Sequence, residues 1–218
     1  MSELVPADLG ERQALRGYLS RLVALDGRAC VRLQAHGLVL GVWGGPPLDV
    51  VTLRPVALSV ASDAGDVTVS AVRLLEKVAA LEESGPVEVP PAVPGPAWAG
   101  LLPPRTGWNV VAIVPAGAGH DAVRVGVDAF QRRVALLPQD LRGRAQLEGI
   151  AADVWGRPVV AGVPLRVAHA ADLTGLLGRE GDVTAFASGS WLRLGCPGGS
   201  VAARTGSASS LDLFALRG

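Results

Sequence analysis

Directly after an apolar run, Gly117-Ala118-Gly119-His120-Asp121-Ala122 carries the spacing GxGxxA, the arrangement in this chain most capable of cradling a phosphate. In a dinucleotide site two such glycines let a pyrophosphate approach the backbone, while the helix N-terminus supplies N–H donors and a favourable dipole. Arg105 and Arg124 are the candidate counter-charges for a phosphorylated or nucleotide ligand, and Asp140, some twenty residues on, the candidate ribose ligand. Three features weigh against this chemistry. His120 and Asp121 crowd the turn, the apolar helical stripe continues through Val134 where a second strand should begin, and the chain ends in hairpins instead of further βα units. With 28 glycines in the sequence, GxG also arises by chance. An ordinary strand-to-helix turn is the stronger reading, with Gly117–Asp121 kept as the candidate small-molecule site; the sequence specifies no cofactor.

Other chemistry lacks partners. His36, His120 and His169 are the three histidines, and neither they nor Cys30 and Cys196 show HxxxH, HxH or CxxC spacing, so no metal site is expected. All three histidines read as turn or surface residues. Ser188 lies outside a GxSxG elbow. Cys196 precedes Pro197 in a turn where exposure is expected but no activating base can be named. Glu82 and Glu83 are adjacent, hence about 100° apart on a helix, and do not form a facing acid and base. No catalytic residue is assigned.

Twenty basic and twenty acidic residues leave no net charge, and 4% aromatic content provides no row of stacking platforms, so nucleic-acid binding is disfavoured. Arginine outnumbers lysine overwhelmingly and Ala, Gly, Val and Pro abound, a bias expected of a GC-rich genome, which discounts arginine as a sign of anion recognition. With 49% hydrophobic residues the chain can bury a sizeable core. No uninterrupted apolar stretch approaches eighteen residues, so no membrane span is expected. Two isolated cysteines and an acidic N-terminal segment without an apolar leader point to a reduced, cytoplasmic protein.

The elements that would position these residues divide at a proline-rich stretch. Seven prolines between Pro86 and Pro104 predict an extended connector over 85–107. Before it, over 1–84, periodicity predicts a helix from Ala7 to Leu25 and a hairpin of Ala29 to Ala35 and Leu38 to Trp43 about His36-Gly37. One or two strands follow within Leu48 to Val60, then a helix from Val69 to Glu83. After it, over 108–206, Trp108 to Val114 reads as a buried strand. Helices follow at Val123 to Leu137, Leu141 to Trp155 and Pro164 to Leu177, then a meander of Asp182 to Ser188, Trp191 to Leu194 and Val201 to Arg204. Residues 207–218 form an apolar arm through Leu211, Leu213, Phe214 and Leu216, which docks on its own subunit or completes a neighbour's sheet.

The segments Leu102-Pro103-Pro104-Arg105-Thr106-Gly107-Trp108, Val154-Trp155-Gly156-Arg157-Pro158, Gly162-Val163-Pro164 and Trp191-Leu192-Arg193-Leu194 resemble uncharacterised proteins of actinobacteria. The resemblance covers about the second half and implies no ligand or catalytic residue.

The expected architecture is α+β, with antiparallel sheets covered by amphipathic helices and two halves joined by the Pro-rich connector. Five tryptophans in a chain poor in aromatics are candidate core corners or interface anchors. Trp98, inside the connector, either packs onto a domain or awaits a partner, with packing preferred. The expected function is a non-catalytic interaction or assembly protein that self-associates; the alternative is a protein or enzyme holding a phosphorylated or nucleotide ligand at the Gly117–Asp121 turn.

Overall fold

The structure is a computed structural model and describes residues 2–80, 85–139 and 142–205. The chain is mixed α+β and divides into two compact units, one of residues 1–46 and 51–102, the other of residues 47–50 and 103–218.

In the first unit, β1 (Glu3–Leu4) precedes α1 (Leu9–Leu25), which starts two residues later than the apolar pattern suggests. Asp8 is the reason: its carboxylate accepts the Glu11 N–H at 2.8 Å and caps the helix. The hairpin is present as β2 (Cys30–His36) and β3 (Val39–Gly44). Its two-residue loop is Gly37-Leu38 and not His36-Gly37, because Gly37 takes φ +58 at the first loop position while His36 pairs with Val39. A single strand, β4 (Val51–Ala57), replaces the one or two expected, and Pro55 sits within it opposite Gly41. The predicted helix from Val69 to Glu83 is corrected at its start, since Val69 belongs to β5 (Asp66–Ser70). The Ser70 hydroxyl then caps α2 (Ala71–Ala79) by accepting the Arg73 N–H. Residues 81–84, and with them Glu82 and Glu83, lie outside the described residues.

The sheet of this unit runs β5-β2-β3-β4, antiparallel throughout. One face is buried under α1 and α2. Leu15, Leu19, Leu22, Leu74 and Val78 meet Val31, Leu33, Leu40 and Val42 there, all at most 2% exposed. Gly44 is required at this contact because a Cβ would stand 2.6 Å from the Tyr18 hydroxyl, which bonds Thr52 Oγ1 at 2.6 Å.

The proline-rich stretch is less uniform than its prolines suggest. Up to Leu102 it belongs to the first unit: β6 (Val87–Glu88) pairs with β1, Ala92 bridges Val69, and Ala97–Gly100 closes into a 3₁₀ turn.

In the second unit β7 (Asn109–Pro115) leads into α3 (Ala116–Ala135), followed by α4 (Arg144–Trp155) and the short pair β8 (Pro158–Val160) and β9 (Val163–Pro164). Next comes α5 (Leu165–Leu173), which stops four residues short of Leu177 because Gly175 takes φ +72 beyond its Thr174 cap. The meander of β10 (Asp182–Ser188), β11 (Trp191–Cys196) and β12 (Gly199–Arg204) forms as its turn residues predict. Within the unit the sheet order is β12-β11-β10-β7.

One strand is corrected in character. β7 ends its sheet with Val110, Val111 and Ile113 exposed by 57%, 44% and 61%, so it is not the buried strand that its continuous apolar run predicts. His169, expected at the surface, is 6% exposed and stacks on Trp155 with ring centroids 4.3 Å apart. Burial lowers its pKa from the usual 6.5 to about 4, outweighing the opposing pull of Asp172.

Candidate functional site

The side of the second sheet turned away from α5 is built by strand alternation. Cross-strand register places Trp191 beside Ser188 and Arg204, Arg193 beside Phe186 and Ala202, and Phe186 beside Val110. The opposite set, Val183, Ala185, Leu194, Val201 and Ala203, is at most 2% exposed against the helices. A β-bulge adds to the open side: between Ala185 and Phe186 the register slips by one residue of β7, leaving Val111 as the extra residue, so consecutive valines both reach solvent.

At the centre of this face Arg193 lies between two rings, its Cζ 4.2 Å from the Trp108 centroid and 4.4 Å from that of Phe186. Partial burial lowers its pKa from the ordinary value, and its Nε has no hydrogen-bond partner among the described residues. The rings stabilise the cation through their quadrupoles and leave donor capacity over. Trp108 is held in turn by its indole N–H, which donates to the Pro104 carbonyl at 2.8 Å. Arg204 approaches Trp191 in the same way, more loosely at 5.9 Å. Half-exposed Trp, Phe and Arg side by side with exposed Val and Ile match the composition typical of protein interface centres.

The residues of the predicted ligand turn are placed as follows. Gly117, Gly119, His120 and Asp121 lie in the first turns of α3 itself, with no loop between strand and helix. A Cβ at Gly119 would meet Leu177 at 3.1 Å, whereas Gly117 faces open space. Both ring nitrogens of His120 are engaged, Nδ1 with Asp172 at 3.0 Å and Nε2 with the Gly178 carbonyl at 2.6 Å. Arg124 pairs with Asp121 at 3.1 Å, one turn along the same helix. Arg105 is exposed before β7, and Asp140 lies outside the described residues.

Reactive groups stay apart. Burial pushes the Cys196 thiol up to about 12, which keeps it protonated and inert at neutral pH instead of exposed in its turn. No group of three or more His, Cys, Asp or Glu among the described residues converges on a metal-sized site. No helix among them is long and apolar enough to cross a membrane.

The sequence singles out Trp98, with packing preferred, and leaves the other four tryptophans as core corners or interface anchors. Trp155 is a core corner at 1% exposure, and Trp98 packs on Gly45. Trp108 and Trp191 belong to the open face. Trp191 and Arg193 share one side of β11 and Phe186 lies on the same side of β10, a pattern visible only once the strands are paired.

The fold places the chain among α+β proteins resembling DNA polymerase sliding clamps. A crystal structure titled as the DNA polymerase III subunit beta from Pseudomonas aeruginosa aligns at TM-score 0.54 and 16% identity, covering 98% of this chain and 67% of that one. Pol III beta of Caulobacter crescentus aligns at 0.55 and 16%, covering 98% and 67%. A sliding clamp from Bartonella birtlesii bound to griselimycin aligns at 0.51 and 14%, covering 96% and 66%. The chain thus spans about two thirds of the length of these clamp chains. The likeness lends no support to the expected exclusion of nucleic acid. In sequence, residues 1–100 match a Domain of unknown function (DUF8010) and residues 103–208 a second Domain of unknown function (DUF8185). No curated protein matches it.

Proposed function

We propose that this chain is a non-catalytic interaction and assembly protein, and that it self-associates through the open face of its second sheet. The observation that carries this reading is the Trp108–Arg193–Phe186 stack beside exposed Val110, Val111 and Ile113. A preassembled aromatic and arginine centre loses little side-chain entropy on contact and is desolvated cheaply at its rings. The clamp likeness supports the same class of role, since those proteins are named as a polymerase subunit and a sliding clamp. Two of the three arginines of α3 are paired with carboxylates, Arg124 with Asp121 and Arg133 with Asp153 of α4, which favours a protein partner.

Sedimentation velocity over a concentration series tests this. Wild-type protein is expected to show a concentration-dependent shift to larger species, and Trp191→Ala combined with Arg193→Ala to weaken the association about tenfold or more, roughly 1.4 kcal/mol. A wild-type monomer at every concentration overturns self-association.

A second reading, a phosphorylated or nucleotide ligand at the start of α3, has one observation in its favour. The first turn of α3 has no side-chain cap, and Gly117 borders open space. Thermal unfolding against nucleotides and sugar phosphates would show stabilisation of about 2.7 kcal/mol at 100 times Kd, abolished by Gly117→Val. A shift that survives Gly117→Val removes this site.

A further inference from the structure

Strand register sorts the open face of the second sheet into cross-strand rows about 7 Å apart. Arg204 and Trp191 stand together in the first row, Arg193 and Phe186 in the second, and Ser200 and Thr184 in the third. Asp182, two residues beyond Thr184, makes the fourth. It shares this side of β10 with Thr184 and Phe186, because Val183 and Ala185 between them are buried against the helices.

The charge on the face is therefore lopsided. Both arginines lie in the two rows at one end, the third row is neutral, and exposed Asp182 stands roughly 14 Å along β10 from Phe186. Among the described residues Asp182 enters no ion pair, and neither Arg193 nor Arg204 meets a carboxylate. The rings beside Arg193 occupy the faces of its guanidinium and leave in-plane donors for a carboxylate.

Resting on the reading of this face as the self-association surface, we propose that two copies pack it face to face with their strands reversed, so that Asp182 of each copy meets the Arg193–Arg204 end of the other. A two-fold axis lying in the contact plane and running across the strands exchanges the first row with the fourth, and each acid–arginine contact then occurs twice. Facing sheets stand about 10 Å apart, a gap that arginine and aspartate side chains reaching toward each other close. The same rotation sets exposed Ile113 of one copy over exposed Val110 of the other, since these two belong to the third and second rows.

A second copy fits the pattern better than a partner of one sign. An acidic partner is held at the arginine end and repelled at Asp182, and a basic one the reverse, whereas the face's own image turned end for end offers opposite charge at both. Copies stacked without that reversal set Asp182 on Asp182 and arginine on arginine, which like-charge repulsion disfavours. The apolar arm of residues 207–218 lies outside the described residues, and the pairing needs none of it.

Sedimentation velocity of charge-reversed full-length chains tests the arrangement. Asp182→Arg and Arg204→Asp, each alone, are expected to weaken self-association about fivefold or more, and mixed pairs of the two variants to bind about fivefold or more tightly than either binds itself. Asp182→Asn, which removes the charge and keeps the shape, replaces Asp182→Arg if reversal unfolds the chain, and is expected to weaken association about twofold. Single variants that associate as the wild type does, or show no preference for the mixed pair, overturn the proposal. A wild-type monomer at every concentration takes down the self-association reading and this proposal with it. Association that is weakened by Trp191→Ala with Arg193→Ala but indifferent to both reversals leaves that reading standing and overturns this proposal alone.

Discussion

Both units set a four-stranded antiparallel sheet against helices, yet they finish the other face of that sheet in opposite ways. In the first unit the proline-rich chain folds back over the sheet. Trp98 packs on Gly45, and Arg32 donates to the Ala99 carbonyl. Beneath it a polar chain runs from Trp43 Nε1 to Gln34 Oε1, from Gln34 Nε2 to Asp66, and from Arg32 bidentately to the same carboxylate at 2.6 Å. The donors of Trp43, Gln34 and Arg32 thus find acceptors within the unit. In the second unit the corresponding cation, Arg193, has two rings and, among the described residues, no carboxylate, and its neighbours Val110 and Ile113 are open to solvent. The first face has its named polar groups satisfied and strapped, whereas the second leaves a ring-held cation beside bare apolar groups, the contrast on which the proposed association rests.

Acid sharpens the contrast most. His169 in the helical layer of the second unit is held neutral, with a folded pKa of about 4 against the ordinary 6.5. Between those values the unfolded chain binds the extra proton, so the stability held above pH 6.5 is lost as pH falls through that window, by about 3 kcal/mol in all. Unfolding followed by near-ultraviolet circular dichroism is expected to show the second unit failing first, and His169→Phe to flatten the pH dependence.

Breaking the strap comes next in size. A Cβ at Gly45 would stand 2.5 Å from Trp98 Nε1, so Gly45→Val must expel the indole. The expected cost is about 2–3 kcal/mol in urea unfolding, accompanied by red-shifted tryptophan emission and by new association through the uncovered first face. Removing the anchor beneath it costs less. Asp66→Ala strips Arg32 of its bidentate partner, and because the pair is 25% and 45% exposed the loss should be about 1 kcal/mol, diminishing in high salt. Smallest for stability is Arg193→Ala, within about 1 kcal/mol, since its contacts are rings it does not need in order to fold. Its effect falls on association.

Local rules made much of the fold legible. The stripe of Leu15, Leu19 and Leu22, the Gly37 turn and the Gly189 and Pro197-Gly198 turns are decided by neighbours in sequence, and the elements they predict are present. What failed was decided by distant chain. Trp108 to Val114 reads as a buried strand because it is continuously apolar, and only the sheet order shows that it lies at an edge. His169 looks like a surface residue beside Asp172 until Trp155 stacks on it. Gly117 and Gly119 lie within the first turns of α3, and the open face is not legible in the sequence because Trp108, Phe186 and Arg193 are remote from one another and meet only through strand register.

Hydroxyl-radical footprinting at rising protein concentration tests the contrast between the two faces most directly. The account predicts that oxidation of Trp108, Phe186 and Trp191 falls as concentration rises while that of Trp43 and Trp98 stays level. Concentration-independent labelling of the three, or protection confined to Trp43 and Trp98, would contradict it.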